Sequence, residues 1–92
     1  MGNEMSERLE ILLLGQELLG VDRSADYLMN QLGVSRSTCV RHIAQLRRLG
    51  FEIVSGRDSD GWVYQMENSE AVQKRLLRWI KLERARDLRT EL

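Results

Sequence analysis

The chain has 92 residues, 42% hydrophobic and 30% charged, with 14 Lys+Arg against 14 Asp+Glu, one His, one Cys and no Pro. That balance excludes a disordered tail, and the length suits one domain without a separate substrate domain beside it. One Cys excludes an internal disulfide framework, no apolar run nears the ~20 residues of a membrane span, and the N-terminus lacks the basic start and apolar block of a secretory signal. The expectation is a cytoplasmic protein.

The neutral total hides segregation. Residues 1–34 carry two Arg and six acids, a net −4, whereas residues 35–57 carry five Arg against Glu52 alone, a net +4. Residues 58–68 are net −3 and residues 69–92 net +3. Twelve of the 14 cations are Arg, the side chain suited to flat, bidentate contacts with phosphates and guanine edges.

In chain order, the first predicted helix runs from Ser6 to Leu19. Ser6 caps it, Glu7 lies in the first turn, and Leu9, Leu12, Leu13 and Gln16 recur at helical spacing. Leu14, Leu18 and Leu19 widen its apolar surface, which implies cover on two sides, and Gly20 ends it. Asp22 and Ser24 are alternative caps for a second helix, about Ser24 to Leu32, with Leu28 and Leu32 inward. Gly33 closes that helix and Ser35 caps a third at once, so Leu32-Gly33-Val34-Ser35 is the tight Gly-containing turn of a helix-turn-helix.

The third helix is predicted from Arg36 to about Leu49, stopping at Gly50. At about 100° per residue, Cys39, Ile43, Leu46 and Gly50 share one narrow face. Opposite lie Ser37, Arg41, Ala44 and Arg48, with Gln45 beside them and Val40 and Arg47 on a flank. No acid occurs on this helix, although a solvated structural helix usually interleaves Glu with Arg, so the face points towards an anion. Beyond Gly50 the apolar period changes to two: Phe51, Ile53 and Ser55, then Trp62, Tyr64 and Met66, with residues 55–61 as a polar tip. This is a β-hairpin. A last helix begins at a cap on Asn68 or Ser69 and runs to about Leu88, with Val72, Leu76, Trp79 and Ile80 inward and Leu77 and Leu88 nearly opposite.

The order helix, helix, Leu32-Gly33-Val34-Ser35-Arg36-Ser37-Thr38, Arg41, Ile43, Leu46, Gly50-Phe51, Ile53 and Gly61-Trp62-Val63-Tyr64 resembles the winged helix-turn-helix of DeoR-type regulators. It is similar also to the N-terminal DNA-binding domains of biotin-repressor-like and WYL-type regulators. The resemblance implies a mostly helical α+β fold over residues 6–66, three helices plus a hairpin wing, with residues 69–92 as an additional C-terminal helix for dimerisation or fold-back. It implies double-stranded DNA as partner, the third helix in the major groove and the hairpin tip on backbone or minor groove. Val40 stands where the family commonly has a second Arg, and His42 where it commonly has Asp. Those relatives also carry a large ligand-sensing domain for which this chain has no room, so no small-molecule effector is carried over.

On that frame Ser35 is an N-cap whose neighbouring N–H groups face a phosphate, and Arg36 and Ser37 occupy the first turn, which reaches base edges. Thr38 is equally placed to donate to phosphate or to bond back within its helix. Val40 is placed to meet a thymine methyl, Arg41 is the base reader, and Arg48 a phosphate contact. Arg47 is equally placed to pair with an acid of its own domain, and Arg57 is the wing candidate beside Asp58. His42 reads as a partly buried, hydrogen-bonded side chain at the edge of the core, Cys39 as a small core residue, and Trp62 and Tyr64 as core and hairpin packing in preference to stacking on bases. No catalytic pair, metal-ligand spacing or phosphate-binding Gly loop is present, so neither an enzyme nor a cofactor is expected. Two classes remain: a DNA-binding regulator of phage or mobile-element type, acting as a homodimer through Leu77 and Leu88, and a winged helix used for protein–protein contact. The pI of about 6.6 favours the second, and the acid-free face the first.

Overall fold

Ser6 accepts a hydrogen bond from the Leu9 N–H at 3.1 Å and so starts α1, Glu7–Glu17. This computed structural model describes residues 6–59 and 61–91, with side chains described as far as residue 86. Along α1, Leu9, Ile11, Leu12, Leu14 and Gly15 are buried, because the helix packs against other helices on more than one side, as its wide apolar surface requires. It ends before the predicted Leu19. The Leu18 carbonyl accepts from the Met66 N–H and the Gly20 N–H donates to the Met66 carbonyl, both at 2.8 Å, so this stretch leaves the helix to pair with the hairpin.

A strand absent from the sequence reading follows, β1, Arg23–Ser24. Ser24 then accepts from the Tyr27 N–H at 3.0 Å and caps α2, Ala25–Leu32, which closes at Gly33 in the left-handed region, φ 65°. Leu28 is fully buried, while Leu32 is only half-buried at the end of the helix. Ser35 caps α3, Arg36–Arg48, and Gly50 after it has φ 98°. A Cβ at Gly50 would meet only the mobile end of the Arg75 side chain, 2.6 Å from a guanidinium nitrogen, so it is the left-handed backbone conformation that favours glycine there.

The hairpin is β2, Ile53–Asp58, and β3, Gly61–Met66. Its pairing continues to Asp58↔Gly61, so most of the predicted 55–61 tip is strand and the turn itself is short. With β1 added, the antiparallel sheet has the order β1-β3-β2. Ser69 caps α4, Glu70–Glu91, through the Val72 N–H at 3.2 Å. Leu76 and Ile80 are buried, Val72 and Trp79 partly so, and α4 lies against α1. Arg75 ties α4 to the end of α3: its guanidinium donates to the Leu49 and Gly50 carbonyls and stacks 4.8 Å from the Phe51 ring centroid.

Candidate nucleic-acid interface

The core holds α3 by one face and leaves the other open. Cys39, His42, Ile43 and Leu46 are all within 2% of complete burial. The 3.6-residue period then turns Ser37, Val40, Arg41, Ala44 and Arg48 outward, and all five are exposed. Arg41 and Arg48 make no ion pair or hydrogen bond among the described residues, so both guanidiniums are available to a ligand. Val40, 50% exposed, is an apolar spot on the same helix.

The remaining candidates are committed within the protein. Ser35 Oγ accepts from the Thr38 N–H at 3.2 Å, donates to Thr38 Oγ1 at 3.1 Å and lies 3.2 Å from Ser37 Oγ, so the Ser35–Thr38 pair builds the cap. Arg36 turns aside to Asp26 on α2, Nη2 to Oδ1 at 3.1 Å. Among the described residues Arg47 pairs with no acid: its Nε and Nη2 donate to the Ile53 carbonyl at 3.3 and 2.8 Å, fixing the root of the hairpin to α3. Arg57 lies on the wing with its guanidinium 5.5 Å from the Trp62 ring centroid.

Three readings need correction. Trp62 is not packed into the domain but 45% exposed, because the hairpin overhangs the helices and the core ends at Tyr64. His42 is not at the core edge but 1% exposed, its Nε2–H donating to Glu10 Oε1 on α1 at 2.7 Å, while its Nδ1 has no partner among the described residues. The first helix, finally, stops at Glu17 and not at Leu19. Cys39 is fully buried as a core residue, and burial pushes its thiol pKa up. Leu77 is 48% exposed on α4, whereas the Leu88 side chain lies outside the described residues.

Sequence reasoning missed Asp26 and Arg75, whose partners lie at positions 36 and 49–50. No periodicity signals such long-range pairs. Among the described residues no cluster of three or more His, Cys, Asp or Glu side chains could hold a metal, and no helix is long and apolar enough to cross a membrane.

Three helices, a turn through Gly33, and a hairpin returning to a short strand define a winged helix-turn-helix. A family model described as an HTH domain matches residues 7–63, most of the chain, and the chain belongs to that family. Among solved structures it is similar to NolR from Sinorhizobium fredii, at 25% identity and TM-score 0.61 over 79% of this chain and 71% of that one. Reduced HlyU from Vibrio cholerae N16961 is similar at 27% identity and TM-score 0.57, over 84% of this chain and 76% of that one. The transcriptional regulator BldR from Sulfolobus solfataricus is similar at 26% identity and TM-score 0.58, over 95% of this chain and 60% of that one. No curated protein sequence matches the chain.

Proposed function

We propose that the chain is a transcriptional regulator that binds double-stranded DNA sequence-specifically, with α3 in the major groove and the wing on the backbone or in the minor groove. The observation that carries this is the outward face of α3, which presents Ser37, Val40, Arg41, Ala44 and Arg48 to solvent with no acid anywhere along the helix. A groove-reading helix needs such a face: small residues for close approach, guanidiniums for base edges and phosphates, no carboxylate to repel the backbone. Membership of the HTH-domain family and likeness to a regulator such as BldR support the reading.

In this reading Arg41 reads a base, Ser37 and Val40 contact neighbouring base edges, and Arg48 and Arg57 hold phosphates. Ser35 and Thr38 present the start of the helix, and Arg36 joins them after leaving Asp26. Residues 6–66 are the DNA-binding unit and residues 69–92 the helix that links two copies, a second chain covering Leu77 and Leu88. Exposed Leu77 supports this, as does the short site a single winged helix reads, which two-fold pairing doubles. Likeness to DeoR-type, biotin-repressor-like and WYL-type domains is retained within this proposal on the Gly33-to-Thr38 turn and the Gly61–Tyr64 strand. A cytoplasmic site of action and independence from a small-molecule effector belong to it too.

Random-site selection with the purified chain tests the whole reading. Enrichment of a palindrome with two equal half-sites is the expected result. If no sequence is enriched and duplex binding shows no salt dependence, protein–protein contact becomes the better account.

A further inference from the structure

We propose that Trp62, Arg57 and Arg36 form a clamp for one phosphodiester of the bound duplex, in the cleft between the wing and the first turns of α2 and α3; this rests on the DNA-binding reading above. The hairpin register carries the first part. Ile53↔Met66, Ser55↔Tyr64 and Arg57↔Trp62 are successive pairs, and side chains two apart share a face, so all three point to the same side. The first pair is in the core and Tyr64 marks its edge. The next pair outward overhangs the helices, which is why a Trp on the inner face is 45% exposed.

Beneath that overhang lies a cleft of about 220 Å³ lined by Ala25, Asp26, Arg36, Arg57, Gly61 and Trp62. Two guanidiniums line it against one carboxylate, and its apolar surface is an indole ring, a combination that suits an anion carrying a compact apolar neighbour. A deoxyribose phosphate has that chemistry. Arg57 lies 5.5 Å from the Trp62 centroid, so the indole restrains a long side chain that would otherwise sample many rotamers. Trp62 is therefore a positioning residue for Arg57 and offers its ring to the sugar. Arg36 is held by Asp26 at 3.1 Å, but the two side chains are 58% and 68% exposed. An ion pair so open to water holds its partners weakly, and Arg36 exchanges the carboxylate for phosphate at little cost.

Equilibrium titration of a fluorescent duplex across a salt series tests the clamp in the full chain, with thermal unfolding run in parallel. The variants are Trp62→Ala, Trp62→Phe, Arg57→Ala, Trp62→Ala with Arg57→Ala, and Asp26→Asn. Trp62→Ala is expected to weaken binding to all sequences roughly three- to tenfold and to lower the magnitude of the log K against log salt slope by about one. Arg57→Ala should give the same slope, the double variant no further change in slope, and Trp62→Phe near wild-type behaviour. Asp26→Asn should tighten binding roughly two- to fivefold, a gain that a folding defect does not produce. A wild-type slope for Trp62→Ala beside a reduced slope for Arg57→Ala overturns the positioning role. Unchanged or weaker binding by Asp26→Asn overturns the exchange at Arg36. A wild-type chain with no salt-dependent duplex binding removes the DNA reading itself, and the clamp with it.

Discussion

Arg41 and Arg48 share the exposed face of α3 but stand about 10 Å apart along its axis at 1.5 Å per residue, so the proposed function gives them different parts of a duplex. Arg41→Ala is expected to cost roughly 1–3 kcal/mol of discrimination at one position of each half-site while leaving binding to scrambled duplex comparatively intact. Arg48→Ala should weaken all sequences alike and reduce the salt slope by about one per site. Titration of both variants on specific and scrambled duplexes separates the roles; equal losses on both duplexes for Arg41→Ala would make it a phosphate contact. Cys39 is a stability residue on the opposite face. Cys39→Ala should lower unfolding free energy by about 1–2 kcal/mol through a small cavity, with base preference unchanged. Because burial raises the folded thiol above its ordinary value of 9.0, Cys39 stays protonated after the unfolded thiol has ionised. Its contribution is therefore intact below that value and declines as pH rises past it, so urea unfolding from neutral to alkaline pH should show a steeper loss for wild type than for Cys39→Ala.

Helix α3 is placed by its ends and by one buried polar contact as much as by its apolar stripe. Ser35→Ala removes the acceptor for the Thr38 N–H and is expected to cost about 1 kcal/mol, measured by chemical denaturation. The Glu10–His42 bond joins α1 to α3 at 2.7 Å, with His42 1% exposed. Glu10→Ala leaves the buried Nε2–H without its acceptor and should cost roughly 1–3 kcal/mol. Adding His42→Phe should recover part of that loss, since removing both partners leaves nothing polar to satisfy; a double variant no more stable than Glu10→Ala would show that the bond is incidental. Capping and apolar spacing, both local, identified α2 and α3 from sequence with ends close to those observed, and the hairpin with a tip drawn too long. The end of α1 was misjudged for a non-local reason: the Leu18 carbonyl and Gly20 N–H are bound by Met66, nearly fifty residues further on. The same distance in sequence concealed β1, whose two residues are strand only because Val63 and Tyr64 lie beside them.

At the level of the assembled chain, the proposed pairing of two copies rests on α4. Its inward side chains, Leu76 and Ile80, are covered by the domain, whereas Leu77 and Leu82 stay 48% and 59% exposed. Sedimentation at micromolar concentration is expected to give a dimer, and Leu77→Glu a monomer with unchanged helix content by circular dichroism. A strictly monomeric wild-type chain would end the two-fold proposal.

The pattern of apolar residues, the serines ahead of α1, α2 and α3 and the glycines after α2 and α3 were enough to define a winged helix-turn-helix and to choose which face of α3 is open. These signals are local: a cap spans three residues, and helical and strand periods repeat within a few. The fate of individual charges was beyond them. Helical spacing puts Arg41 and Arg48 outward and Arg47 on a flank, but it names no partner for Arg36 or Arg47. Folding gives Arg36 to Asp26 and Arg47 to the Ile53 carbonyl, and leaves Arg41 and Arg48 exposed. Trp62 likewise keeps the alternation of a core strand but is 45% exposed over the cleft it shares with Ala25, Asp26 and Arg36. Which cation is neutralised, and which aromatic is covered, depends on surfaces brought together from distant parts of the chain, and no local spacing records that.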